Sequence, residues 1–141
     1  MVVKGFFDES GRPAIEVHAQ ITRLGLGGVV RFIVDTGADQ TLIGYEDATD
    51  LGVDCEQYDQ DGSFESIGVG GPLRTYPEGG RLFFYDSNDN QHPFIVTLAV
   101  AEDSPAGWVP SLLGRDILRW FRVVISEPEN EVSLTRPLDW K

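Results

Sequence analysis

From Ile15 onward apolar and polar residues alternate, with Ile15, Val17, Ala19 and Ile21 on one side and Glu16, His18, Gln20 and Thr22 on the other. A period of two predicts a half-buried strand, and His18 on its polar side predicts an exposed histidine rather than a ligand. Val2 to Phe7 is an earlier apolar run, and Glu9-Ser10-Gly11-Arg12-Pro13 carries turn residues, so an N-terminal hairpin is expected over about residues 2–22. Gly25, Gly27 and Gly28 predict a loop, and Val29 to Val34 the next strand. Thr41-Leu42-Ile43 is a short strand, and Tyr45 to Leu51 predicts a brief helix stopped by Gly52. Residues 53–63 are polar and irregular. Two strand-like arms within residues 64–76 flank Gly68-Val69-Gly70-Gly71, the pattern of a hairpin with one apolar side chain at its tip. Arg81 to Tyr85 and Pro93 to Val100 predict two strands joined by a polar turn. Leu112-Leu113 ends a strand, Arg115 to Trp120 predicts a short amphipathic helix, and Arg122 to Ser126 forms a last hairpin with Glu131 to Thr135. The fold class is all-β.

A chain of 141 residues is a single domain, 1–141, large enough for a real core. No apolar run approaches a membrane span, and Val2 to Phe7 is interrupted by Asp8-Glu9 too soon to read as a signal peptide. The single cysteine, Cys55, excludes an internal disulfide and fits a reducing compartment, so a cytoplasmic protein is expected. A formal net charge of −12 argues against nucleic acid and anionic membrane as partners. The only lysines are Lys4 and Lys141; the acidic, lysine-poor composition is read first as an ordinary solvated acidic surface, with a salt-adapted host as the alternative.

Several chemistries fall away on spacing. A nucleotide-binding glycine loop opens a helix, whereas Gly25 to Gly28 leads into a strand. Asp86-Ser87-Asn88-Asp89-Asn90-Gln91 begins like a calcium loop, but Gln91 stands at the sixth position and Thr97 at the twelfth, where glycine and an acid are needed. With two histidines and one cysteine no metal-site spacing exists, and no cofactor is expected.

What remains is Asp35. Phe32-Ile33-Val34 leads into Asp35-Thr36-Gly37-Ala38-Asp39-Gln40, and Thr41-Leu42-Ile43 follows. A carboxylate is seldom placed at the edge of a core without a reason. Thr36 can hydrogen-bond locally, and Gly37 allows a sharp turn and close approach of a ligand backbone. Further on come the glycine-rich hairpin tip and Leu112-Leu113-Gly114-Arg115-Asp116. In this order the three motifs resemble those of the retropepsin-like (retroviral-type) aspartic proteases, over about residues 30–125. The terminal hairpins look more like cellular and bacterial single-domain members than viral ones.

The resemblance implies a closed β-barrel or sandwich with one short C-terminal helix, active as a homodimer because each chain carries one Asp-Thr-Gly. Asp35 of both chains would form the catalytic dyad, Thr36 would lock the two loops together, and Gly37 would accept the substrate backbone. Asp39 would pair with Arg115 as a partly buried ion pair, whose breaking costs about 3–5 kcal/mol. Ala38, Arg115 and Asp116 would support the loop. Gln40, where several viral enzymes have an acid, belongs with Asp39 to the substrate-binding set. Leu42, Leu112 and the loop from Trp108 to Pro110 would line apolar pockets. Gly68, Val69, Gly70 and Gly71 would cover the substrate as the tip of a flap over about residues 64–77. The hairpin over about residues 122–135 would supply strands to the partner subunit. The implied activity is an aspartic endopeptidase acting on a peptide or protein; the alternative is a non-catalytic dimeric module that binds peptide or regulates.

Overall fold

The computed structural model describes residues 1–68, 71–103 and 109–137, with backbone only for residues 60, 66–68, 71 and 72. Eleven strands and two short helices run in the order β1 Val2–Lys4, β2 Phe6–Phe7, β3 Pro13–Ile21, β4 Leu26–Val34, β5 Leu42–Ile43, α1 Tyr45–Leu51, β6 Phe64–Gly68, β7 Gly71–Tyr85, β8 Gln91–Ala101, β9 Leu112–Leu113, α2 Arg115–Leu118, β10 Arg122–Ser126 and β11 Glu131–Thr135. The larger sheet has the order β2-β3-β4-β9-β5-β8-β7-β6, and an added β3–β7 pairing closes it into a barrel. The smaller sheet, β1-β11-β10, is built from both ends of the described chain.

The alternation read from Ile15 holds: Ile15, Val17, Ala19 and Ile21 are fully buried. They meet Phe32, Val30, Leu82, Phe84, Leu98 and Leu113 in the barrel core. Full burial of each large aliphatic or aromatic side chain contributes about 1.5–3 kcal/mol. Phe84, Phe94 and Phe121 pack ring against ring at 5.4–5.6 Å, joining the barrel wall to the turn after α2.

Four local expectations are corrected by long-range pairing. The N-terminal run splits at Gly5: β2 pairs with β3, whereas β1 crosses to β11. Gly25 stays in the turn, at φ 66°, but Gly27 and Gly28 lie inside β4, which begins at Leu26; a Cβ on Gly28 would fall 2.8 Å from the Leu51 side chain, so α1 packs where glycine leaves room. The second arm of the glycine-tipped hairpin and Arg81 to Tyr85 are one fifteen-residue strand, β7. Pro77 is tolerated within it because β6 pairs with residues 71–75 and β3 with residues 80–83, leaving one edge open at residue 77. The C-terminal helix stops at Leu118 and finishes as turns, with Trp120 and Phe121 amides bonded to Ile117 and Leu118 carbonyls. By contrast α1 ends at Gly52, at φ 103°, as its sequence predicts. No helix among the described residues is long and apolar enough to cross a membrane.

The β7–β8 turn is organised by one carboxylate. Asp86 accepts hydrogen bonds from His92 Nε2 at 2.8 Å, from the Asn88 and Asn90 amides at 2.9 Å, and from Asn90 Nδ2 at 3.3 Å. Ser87 then donates its N–H and hydroxyl to the Val2 carbonyl, tying the turn to β1. The His92 bond first, then the Asn90 and Asn88 amides, hold Asp86 well below the usual carboxylate range. A carboxylate with a depressed pKa contributes stability that is complete above its unfolded value, about 3.9, and is lost as pH falls through the lower folded value. Asp86→Asn is therefore expected to melt below the wild type at pH 7, with the two melting curves converging as pH drops below about 4. Thermal unfolding followed by circular dichroism from pH 7 to pH 2 checks this, and a gap independent of pH would contradict it.

Candidate active site

Two distant segments build the site. Residues 33–41 form the loop and its flanking strands, and residues 111–116 run alongside them. Ile33 and Asp35 amides donate to Ser111 and Leu113 carbonyls at 2.9 and 3.1 Å. In return, Arg115 and Asp116 amides donate to Ala38 and Asp39 carbonyls at 2.8 and 3.2 Å. The strand β9 pairs parallel with β4, as Ile33↔Leu112 and Val34↔Leu113, and antiparallel with β5, as Leu42↔Leu112. It thus wedges between the strand entering the loop and the strand leaving it. Gly114 makes this approach possible: a Cβ there would fall 2.6 Å from the Gln40 carbonyl carbon and 3.0 Å from the Ala38 oxygen.

Within the loop Asp35 is half-buried, and its Oδ1 accepts the Gly37 N–H at 2.9 Å. Its carbonyl accepts the Ala38 N–H at 3.2 Å, which closes the turn. Thr36 and Gly37 are exposed at the crest. One half-buried carboxylate, bonded to the loop backbone, therefore lies beside an exposed crest. A single such group can take or give a proton; activating a water while protonating the far side of a carbonyl requires a second acid.

Beneath the crest lies a buried polar node. Thr41 is fully buried, and its N–H and hydroxyl donate to the Asp116 carboxylate at 3.0 and 2.7 Å. The Thr41 hydroxyl oxygen in turn accepts the Gly114 N–H at 3.2 Å. Asp116 thus acts on the loop through Thr41, a residue whose sequence signal is only a threonine opening a short strand. Ser111, also fully buried, donates to Asp47 at 2.6 Å and accepts the Gly44 N–H at 2.9 Å, fastening α1 to the segment before β9. Nothing local in the sequence marks Ser111 or Asp47, which are 64 positions apart.

The apolar residues gather beside the loop. Leu42, Ala99 and Ala101 are buried together, with Leu73, Val109 and Leu112 packed against them. Pro110 is half-buried, and Gln40 Nε2 lies 3.5 Å from the Thr97 carbonyl. Gly68 and Gly71 form the outermost described pair of the β6–β7 hairpin. Val69, Gly70 and Trp108 lie outside the described residues. No cluster of metal-ligating side chains occurs among the described residues.

Arg115 and Asp39 do form an ion pair, 76 positions apart in sequence. Its burial departs from expectation: the Arg115 side chain is 59% exposed and that of Asp39 82% exposed. An exposed pair contributes about 0.2–1 kcal/mol, not the several expected of a buried one. Asp39→Ala and Arg115→Ala should each cost under about 1 kcal/mol in this chain, with a coupling of about 0.2–1 kcal/mol in a double-mutant cycle by urea unfolding. A coupling near 3 kcal/mol would mean that association buries the pair.

The comparisons with known proteins bear on the family and the fold. A retropepsin-like aspartic protease from Rickettsia conorii superposes with a TM-score of 0.57 at 18% identity, covering 96% of this chain and 89% of that one. The protease of EIAV, solved with the inhibitor HBY-793, superposes with a TM-score of 0.50 at 21% identity, covering 80% of this chain and 90% of that one. No curated protein matches the chain. At these identities the structures speak for the fold. The family description for retroviral aspartyl proteases matches residues 9–126, most of the chain, and with the retropepsin-like barrel it shows that this protein belongs to the retroviral aspartyl protease family.

Proposed function

We propose that the protein is an aspartic endopeptidase that hydrolyses peptide bonds with a water activated by two Asp35 carboxylates, one from each chain of a homodimer. The observation that carries this reading is the half-buried Asp35, held by the Gly37 N–H and the Leu113 carbonyl and flanked by an exposed Thr36-Gly37 crest. Two carboxylates in contact share one proton, because like charges at that distance cannot both ionise. The ionised Asp35 takes a proton from the water as its oxygen attacks the scissile carbonyl carbon. The protonated Asp35 gives its proton to the carbonyl oxygen, leaving a neutral gem-diol. Collapse of the diol breaks the C–N bond, with a proton delivered to the leaving nitrogen, and the shared proton is restored. The carboxylates do all of this without a metal or cofactor.

The remaining residues have supporting roles in this reading. Thr36 joins the two loops, and Gly37 receives the substrate backbone. Asp39 and Gln40 bind the peptide at its polar edge. Leu42, Leu112, Pro110 and Trp108 receive apolar side chains. The β6–β7 hairpin, with Gly68 to Gly71 at its end, lies over the peptide. The β10–β11 hairpin supplies the strands between subunits; β10 is an edge of its sheet, and Ile125 and Trp120 beside it are exposed.

Asp35→Asn is expected to abolish cleavage of a peptide library, by at least about 10⁴-fold as for removal of other essential catalytic groups, with circular dichroism unchanged. Undiminished cleavage by the folded variant would end this reading, and peptide binding without cleavage by the wild type would favour the non-catalytic module. Dimerisation has its own signature. Association brings together two chains of net charge −12 and takes up a proton between the two carboxylates. A group that gains a proton on association favours the dimer at low pH and loses that contribution as pH rises. Salt screens the repulsion over about 8 Å at physiological ionic strength. Sedimentation equilibrium should therefore show a tighter dimer at pH 5 than at pH 8, and at pH 8 a tighter one in high salt; the opposite order would refute the argument.

A further inference from the structure

The inward face of β7 carries Tyr76, Glu78, Gly80, Leu82 and Phe84, and Glu78 is the one charged side chain among them, 5% exposed. A carboxylate at a core position is costly unless fully bonded. Glu78 is bonded from two sides: Arg23 reaches it from the β3–β4 turn through Nε at 3.1 Å and a terminal nitrogen at 2.5 Å. Tyr58, from the irregular segment before β6, donates its hydroxyl at 2.6 Å. The Tyr58 ring stacks on Tyr76 at 4.5 Å, and Tyr76 donates to Glu102 at 3.2 Å. Burial pushes the Glu78 carboxyl up, but the bonds from Arg23 and Tyr58 and the Arg23 charge outweigh it and hold Glu78 below its ordinary value.

The location of this cluster gives it a consequence. β8 ends at Ala101, opposite Thr75; the Glu102 N–H still donates to the Arg74 carbonyl at 3.2 Å, and outward of Arg74 the strand β7 pairs with β6 alone. The β6–β7 hairpin therefore overhangs the barrel, and its angle is decided at its root, residues 74–78. Leu73, one step beyond the root, packs beside Leu42 and Leu112, which flank the Asp35 loop. Tyr58 borders a cavity of roughly 310 Å³ together with Arg23, Leu24, Asp54 and Gln57. Its half-buried ring packs against the edge of the core and is held there by the stack and the hydroxyl bond.

We propose that Tyr58 and Glu78 are positioning residues for the peptide cleft: their bond, backed by Arg23 and the Tyr58–Tyr76 stack, sets the β6–β7 hairpin so that Leu73 stands against the wall of the Asp35 site. The proposal rests on the peptidase reading for its effect on KM, but its effect on the hairpin is independent of that reading. Tyr58→Phe keeps the ring and removes the donor, so the fold is retained. Hydrogen exchange followed by mass spectrometry should show amides in residues 64–68 and 71–75 exchanging about tenfold faster, the ratio expected from losing one hydrogen bond to a charged group. Amides of β10, β11 and the β3–β4 pair should be unchanged. In the peptidase assay KM should rise several-fold with kcat within about twofold, since the loss falls on uniform binding of the peptide. Glu78→Gln, which can still accept from Tyr58, should keep most of the protection in residues 64–68 and 71–75. Uniform acceleration, unchanged exchange in the hairpin, or an unchanged KM in an active enzyme would each overturn the proposal. A wild-type protein that cleaves nothing would overturn the peptidase reading alone, and the exchange pattern would then decide whether Tyr58 sets the hairpin.

Discussion

The wedge of residues 111–116 against residues 33–41 is the constraint on which the site depends. The strand entering the Asp35 loop, β4, has nine residues, but β5, which leaves it, has only two and is too short to hold the turn by itself. The loop is shaped because β9 lies between its two legs and Gly114 lets the backbones touch. The polar groups that this close packing would strand are absorbed by Thr41 and Asp116. An unmade bond in such a buried node costs about 1–3 kcal/mol, so the node stabilises one loop geometry over its neighbours. The position of the Asp35 carboxylate is therefore a property of the barrel and not of the Asp-Thr-Gly tripeptide.

Charge in this acidic chain is used in two distinct ways. Asp39 and Arg115 meet at the surface, where water competes and little net energy results. Glu78 and Asp86 are buried carboxylates satisfied from several directions, and each sits where two parts of the chain must be joined. Asp86 ties the barrel to β1, and Glu78 ties β7 to the β3–β4 turn. Burying an acid is justified structurally only by that degree of satisfaction.

Much of this was legible because it is local. Alternation from Ile15 to Ile21, the helix ended by Gly52, and the Asp35 and Leu112 to Asp116 motifs each declare themselves within a few residues. The retropepsin resemblance added the contact between Asp39 and Arg115 but not its exposure, which is set by what else surrounds the pair. What remained hidden is set by partners far along the chain. Gly5 hands β1 to a strand near the other end, Pro77 is accommodated because an edge happens to be open, and Ser111 finds Asp47 across 64 positions. Glu78 interrupts an otherwise apolar face, a signal visible in sequence only once the full extent of β7 is known.

The parallel pairing of β4 with β9 has a consequence in time as well as in space. Ile33 meets Leu112 only after the chain between them has been made and threaded through the rest of the barrel. Contacts of such long sequence separation form slowly, since chain entropy must be lost before they are gained. During synthesis the β3–β4 hairpin is able to fold as soon as it emerges, whereas the turn at Asp35 waits for the Leu-Leu-Gly-Arg stretch. A nascent or truncated chain thus carries the Asp-Thr-Gly tripeptide in an unshaped form, and the loop takes its native turn among the last acts of folding.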